Sequence, residues 1–166
     1  MSSQWIYILP GIILFIACID DFLTKKIHNK LILFLLPPTL LTVFFIQGLE
    51  GLKTGFLSAL LALVIAVPLT LIRAIGGGDL KLLVLIALTL SWNDFLWISI
   101  GSLPWALILG LIKITLDKKL KDFYNNLFSL FLNKSHQNLQ LHTIPYSIAL
   151  FFSWISFLTL KRISFF

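Results

Sequence analysis

Only one cysteine, Cys18, stands among 166 residues, so no disulfide can close within the chain and no Cys-x-x-Cys pair exists to hold zinc. A lone thiol among apolar neighbours reads as a buried structural group. Charge is equally scarce: Asp, Glu, Lys and Arg make up 12% of the residues, against roughly a quarter in an ordinary soluble domain, while 58% are hydrophobic. A chain this short cannot hide that much apolar surface inside itself. The composition excludes a soluble globular domain and predicts a single all-α, membrane-embedded domain over residues 1–166. No basic residue precedes the first apolar stretch in Met1-Ser2-Ser3-Gln4, so a cleavable secretory signal is not expected and the first block should persist as a helix. Internal repeats and low-complexity tracts are absent too.

What the chain has is apolar blocks: Trp5 to Ile19, Leu31 to Ile46, Phe56 to Ile72, Leu82 to Trp92, Phe95 to Ile112 and Ile144 to Leu160. Charge or turn-forming residues bound each of them, and about six transmembrane helices is the natural reading. Several fall short of the ~20 apolar residues of a typical span, which flanking Lys and Trp extend by snorkelling and interfacial anchoring. The weakest, Leu82 to Trp92, gains length if Gly78 to Lys81 enter its first turn. Gln47 to Gly55 and Ser91 to Asp94 read as short turns, and Pro37-Pro38 as a structural kink inside the second block.

The loops set an orientation. With six spans, Lys25, Lys26, Lys30, Arg73, Lys81, Lys113, Lys118, Lys119, Lys121 and Lys134 fall on one side, and Lys53, Lys161 and Arg162 on the other. The positive-inside rule makes the first side cytoplasmic, in a multi-pass plasma-membrane protein with both termini outside. Asp117 to Gln140 carries Leu120, Phe123, Tyr124, Leu127, Phe128 and Phe131 at helical spacing, the pattern of an amphipathic helix on the cytoplasmic surface. Topology and anionic lipid account for the net charge of +6, and no nucleic-acid partner is expected.

Carboxylates are costly beside hydrocarbon, which singles out Asp21 at the foot of the first block and Asp79 in Gly76-Gly77-Gly78-Asp79. Two carboxyl groups brought together cannot both ionise easily; one keeps a proton while the other stays anionic. That is an acid and a base in one place, able to activate a water and polarise a peptide carbonyl with no metal, cofactor or nucleophilic side chain. The glycines let a substrate backbone approach closely. They form no phosphate cradle, having neither a GK[ST] ending nor GxGxxG spacing. By itself GxGD is a weak signal, and Asp79 also suits a helix cap. Asp20 competes with Asp21 on composition, but consecutive helical residues point about 100° apart, so only one of them can face Asp79. His136 and His142 lack metal-ligand spacing.

The residues from Asp21 to Asn29, together with Gly76, Gly78, Asp79 and Lys81, resemble the type IV prepilin peptidase family, membrane aspartyl proteases of the GxGD type. In that family the first aspartate is followed at +6 and +8 by the Ile and Asn of Ile-Pro-Asn; here Ile27 and Asn29 stand at those distances from Asp21, and Asp20 is one residue too far. The second position matches Asp79 in GxGDxK, and Ile144-Pro145-Tyr146 resembles a late family segment. His28 replaces the family's proline, which puts the loop geometry in question. It reads as an exposed loop histidine, with a proton-transfer role as the lesser alternative.

The resemblance implies an aspartic endopeptidase that removes the leader of prepilin-like precursors, with Asp21 and Asp79 catalytic and Gly76, Gly78, Lys81, Ile27 and Asn29 binding substrate or shaping the site. Lys81 reads equally as a partner of Asp79 or substrate and as a cationic anchor. The cysteine-bearing segment of the long, methylating members is missing, so the chain is similar to short peptidase-only forms such as those serving Flp/Tad pili or preflagellins. Two other readings share some of these features: a presenilin-like protease cutting within a membrane helix, and a non-enzymatic ion-coupled carrier or assembly factor.

Overall fold

The computed structural model describes residues 7–24, 26–72, 75–116 and 146–163. Among them are five helices and no strand: α1 Ile8–Thr24, α2 Asn29–Leu71, α3 Gly77–Ala87, α4 Trp92–Leu116 and α5 Tyr146–Ile163. The expected surface helix over Asp117 to Gln140 lies outside the described residues. So do His136, His142, Lys25, Arg73 and the Ile144-Pro145 pair.

Two expected blocks join in α2, whose 43 residues would measure roughly 65 Å if straight. It is not straight. Lys81 Nζ, one turn into α3, donates to Asn29 Oδ1 at the start of α2 over 2.7 Å. The few residues from Leu71 to Gly77 can bridge only about 22 Å. Both ends of α2 therefore lie near the start of α3, and the chain must reverse between them. The residue that allows it is Gly48, the one position inside α2 with non-helical angles, at φ 68° and ψ −160°. A side chain would be strained in that left-handed conformation. The turn expected over Gln47 to Gly55 thus contracts to Gly48, and the sharp bend falls there rather than at Pro37-Pro38.

Beyond Gly48 the returning arm of α2 buries a stripe of small residues: Gly51, Gly55, Ser58, Ala59, Ala62 and Ala66. Small residues at four-residue intervals let helix backbones approach closely, the main source of packing energy where lipid is as apolar as the side chains. At Gly55 the approach is backbone to backbone, since a Cβ there would run into the Leu88 carbonyl. The weak fourth block becomes α3, which takes Gly77 to Lys81 into its first turn and ends at Ala87. Leu82, Leu83, Leu85 and Ile86 on it are all buried, which explains how so short a helix is held. Ser91 opens α4, its Oγ accepting from the Asp94 amide at 3.3 Å.

The first and last helices pair antiparallel in one register. Tyr7 meets Phe157 and Lys161, Gly11 faces Trp154, Phe15 contacts Phe151, and Asp21 reaches Ser147. Polar bonds knit α4 to α5: Ser153 Oγ donates to the Ile98 carbonyl at 2.6 Å, Trp105 Nε1 to Ser156 Oγ at 3.1 Å, and Ser102 and Tyr146 share a hydroxyl bond at 2.8 Å. At the end of the bundle remote from Asp21, Lys161 Nζ donates to the Tyr7 hydroxyl at 2.5 Å and pairs with Asp94 Oδ1 at 3.2 Å. Tyr7 also donates to Asp94 Oδ2 at 3.0 Å, which ties α1, α4 and α5 together at that end.

The exterior is apolar. Phe22, Phe34 and Phe45 are 75%, 79% and 80% exposed, in company with Leu33, Leu57, Val64, Trp97 and Leu107. Water penalises such a surface, whereas lipid solvates it. Two helices, Asn29–Leu71 and Trp92–Lys113, are long and apolar enough to cross a membrane.

Replacing Gly55 by Val should destabilise the protein by about 1–3 kcal/mol, the cost of forcing bulk into a closed backbone contact. A Cβ at Gly77 meets nothing within 4 Å, so Gly77→Ala should leave stability unchanged or raise it by up to about 1 kcal/mol. Thermal unfolding of both variants in detergent checks the contrast; equal midpoints would refute the packing described at Gly55.

Candidate active site

Asp21 occupies the last turn of α1, where a carboxylate faces the negative end of its own helix and gains nothing from the macrodipole. It is also 7% exposed, so burial adds to the cost. The compensation comes from the first turn of α5, where the Ser147 hydroxyl, itself fully buried, donates to Asp21 Oδ2 at 2.5 Å. Cys18, one helical turn back on α1, lies close to Ser147 and Asp21. The cysteine is only half-buried and borders polar groups, so its surroundings are not purely apolar.

Asp79 sits in the first turn of α3, the end of a helix that favours a negative charge. Its Oδ2 accepts from the Gly76 amide at 3.3 Å, so it does cap the helix, as its position suggested. Gly76 has no side chain to return the bond. With α1 ending and α3 beginning at the same end of the bundle, Asp21 and Asp79 come within electrostatic reach of one another across 58 residues of sequence. Asp79 is also within electrostatic range of Tyr146, whose hydroxyl shares a hydrogen bond with Ser102 of α4.

The glycines and their neighbours assemble around this pair. Gly78 lies against Ile27, for a Cβ on it would stand 3.1 Å from the Ile27 Cβ and carbonyl oxygen. Ile27 is buried and Asn29 exposed, and the Asn29–Lys81 bond joins the start of α2 to the first turn of α3. Four of the residues singled out by sequence, Ile27, Asn29, Gly78 and Lys81, therefore form the bracket that fixes the aspartate-bearing turn of α3 against the loop after α1. Lys81 is held by Asn29 rather than pointed at a carboxylate. Gly76 is exposed; its amide donates to Asp79 and its carbonyl accepts from the Leu80 amide at 3.1 Å.

Asp20 and Asp21 part company as helical geometry requires. Asp20 turns away from Asp79 and accepts the His28 amide at 3.0 Å, with the His28 ring nitrogen Nδ1 at 3.1 Å. His28 is exposed, as expected, but it has a partner that the spacing did not suggest. Its backbone angles, φ −75° and ψ 136°, are those a proline would impose. The loop thus keeps a proline-like path without proline, and the amide that proline would lack is used to bind Asp20. Sequence reasoning missed Ser147 and the Asp20–His28 pair. A signal for the second did exist, in an acid and a histidine eight residues apart across a helix end.

Chemically, the arrangement offers two carboxyl groups of unequal setting beside a glycine turn, with a hydroxyl donor from Ser147 on one of them. Among the described residues no three His, Cys, Asp or Glu side chains cluster so as to hold a metal ion.

The Type IV leader peptidase family model matches residues 8–114, which takes in α1 to α3, nearly all of α4, and both aspartates. No curated protein and no solved structure matches the chain. With two helices fit to cross a bilayer and an exterior suited to lipid, the protein is a membrane protein. It is a peptidase by kinship, for the chain belongs to the type IV leader peptidase family.

Proposed function

We propose that this protein is an aspartic endopeptidase of the plasma membrane that removes the leader from prepilin-like precursors, with Asp21 and Asp79 as its catalytic pair. The observation that supports the reading is that these two carboxyl groups, from the end of α1 and the start of α3, lie within electrostatic range of one another at one end of an apolar bundle. One carboxylate takes a proton from a water molecule as that water attacks the scissile carbonyl, while the protonated partner donates to the carbonyl oxygen. The resulting gem-diol collapses as a proton passes to the departing amine. Covalent attachment to the enzyme is not required, and the proton count closes within the pair.

The substrate class follows from the family and from the position of the site. A precursor whose cationic leader precedes an apolar helix can keep that helix in lipid while its cleavage point enters at the bundle's end. Gly76 and Gly78 then border the path of the substrate backbone, and Ile27, Asn29 and Lys81 hold the turn that carries Asp79. The rest of the proposed topology is six spans, counting the two arms of α2 separately, in a single domain with the aspartates at the cytoplasmic boundary. The lysine-rich loops favour that orientation.

Purified protein in detergent should cleave a prepilin-like precursor at the end of its basic leader, and Asp21→Asn or Asp79→Asn should each lower the rate by at least about a hundredfold. Cleavage surviving in either variant would reject the pair. Cutting inside the apolar helix would indicate a presenilin-like specificity, and failure of the wild type on every pilin-like precursor would favour a carrier or assembly factor.

Orientation is tested by labelling intact cells with a membrane-impermeant maleimide in a Cys18→Ser background. A cysteine at position 50, beside the Gly48 bend, should react from outside. One at position 30 should react only after permeabilisation. Labelling of both from the same side would sink the six-span topology.

A further inference from the structure

The loop after α1 is anchored at Ile27, His28 and Asn29 in turn, and the anchor of the middle residue is Asp20. We propose that Asp20 is a positioning residue for cleavage: by accepting the His28 amide it ties this loop to the last turn of α1, and so sets the turn that bears Asp79 relative to Asp21. The proposal rests on the aspartate-pair reading above and goes beyond it.

The anchors face opposite sides of the site. Ile27 packs on Gly78, the residue before Asp79, and Asn29 accepts from Lys81, two residues after it, so both look to α3. His28 turns back to α1, where its amide donates to Asp20 Oδ2 at 3.0 Å, next in sequence to Asp21. One aspartate-bearing turn is thus joined to the other through Asp20, His28, Ile27 and Gly78, by a hydrogen bond, a peptide link and a van der Waals contact. The Thr24 hydroxyl, 2.8 Å from the Asp20 carbonyl and 2.7 Å from the Lys26 carbonyl, braces the start of the loop but stops short of these residues.

His28 is where the loop needs holding. It caps α2 in an extended conformation, φ −75° and ψ 136°, and its carbonyl accepts from the Leu31 and Ile32 amides. A residue in that place commonly secures itself by a side-chain bond to the helix, and His28 makes none. Donation of its N–H to a fixed acceptor instead holds the plane of the Ile27–His28 peptide, and with it Ile27 ψ and His28 φ. These are the two angles that a proline at position 28 would restrict. The two devices exclude each other, because proline has no N–H to give. The bond also asks for no particular charge, since an N–H donates and a carboxyl group has an accepting oxygen in any state of ionisation. The His28 ring adds a contact from an exposed side chain, Nδ1 lying 3.1 Å from Asp20 Oδ1. His28→Ala removes that contact and keeps the amide.

The test has one readout without substrate and one with it. In full-length protein in detergent, with heavy nitrogen in its histidines, the His28 amide is the magnetic-resonance signal that vanishes in His28→Pro. Its proton should exchange with solvent about tenfold faster in Asp20→Ala than in the wild type, and at close to the wild-type rate in Asp20→Asn, which keeps an accepting oxygen. In precursor cleavage Asp20→Ala should lower kcat about tenfold with KM within about twofold, as when reacting groups are held out of place while substrate still binds. His28→Ala should lower it by less than about threefold. Beside His28→Pro, where the ring holds the peptide plane, Asp20→Ala should have no further effect. An exchange rate unchanged by Asp20→Ala overturns the proposal, and so does a tenfold loss of cleavage on Asp20→Ala that persists beside the proline. The proline-background comparison also serves if Asp20→Ala does not fold alone. Full cleavage by Asp21→Asn or Asp79→Asn would instead overturn the aspartate pair and leave the exchange contrast standing, so the two failures are told apart.

Discussion

Asp21 takes a carboxyl group to a nearly dry position at the negative end of its own helix, and three helices are arranged around the cost of doing so. The last helix begins where its second residue can donate to that carboxyl. The third begins where its first turn brings a second carboxyl into electrostatic range. For this, α1 and α5 must keep one antiparallel register over their whole length, which the contacts at Gly11 and Phe15 maintain. Shift that register by a single residue and Ser147 would face lipid or a neighbouring helix while Asp21 would be buried without a donor. A buried acceptor stranded in this way is far more damaging than the net worth of the bond it has lost.

The approach of α3 is governed by a different force. Its turn bears Asp79, but its hold on the molecule comes from the small-residue stripe of α2 and the buried leucines opposite it. The carboxyl at the tip is set by van der Waals contact some residues away, and the Asn29–Lys81 bond then fixes the angle of its first turn. The site thus combines one aspartate positioned by a polar bond with another positioned by packing.

The apolar blocks marked α1, α4 and α5 to within a few residues, because long hydrophobic runs bounded by charge leave little choice of structure. The aspartate-bearing turns were legible for the same reason that they are useful, since charge is conspicuous where hydrocarbon is the rule. The limits of α2 were harder. Gly48, Gly51 and Gly55 look alike in sequence, yet Gly48 reverses the chain, Gly51 lies under the Gln47 side chain across that bend, and Gly55 lets the Leu88 carbonyl approach; which does which depends on how the arms of α2 and the end of α3 pack. Ser147 left no trace at all. A serine within an apolar helix is unremarkable until the fold sets it against a residue 126 positions earlier. His28 was visible only as a departure, and its angles show that the departure preserved the path of the chain.

The polar knot of Tyr7, Asp94 and Lys161 closes the opposite end of the bundle, joining the same helices α1, α4 and α5 that converge beneath the site. Helices pinned at one tip and packed by side chains elsewhere can part only at the other. Asp21 and Ser147 therefore sit near the far tips of helices tied together at their other ends, whereas Asp79 rides on α3, which no bond of that knot reaches.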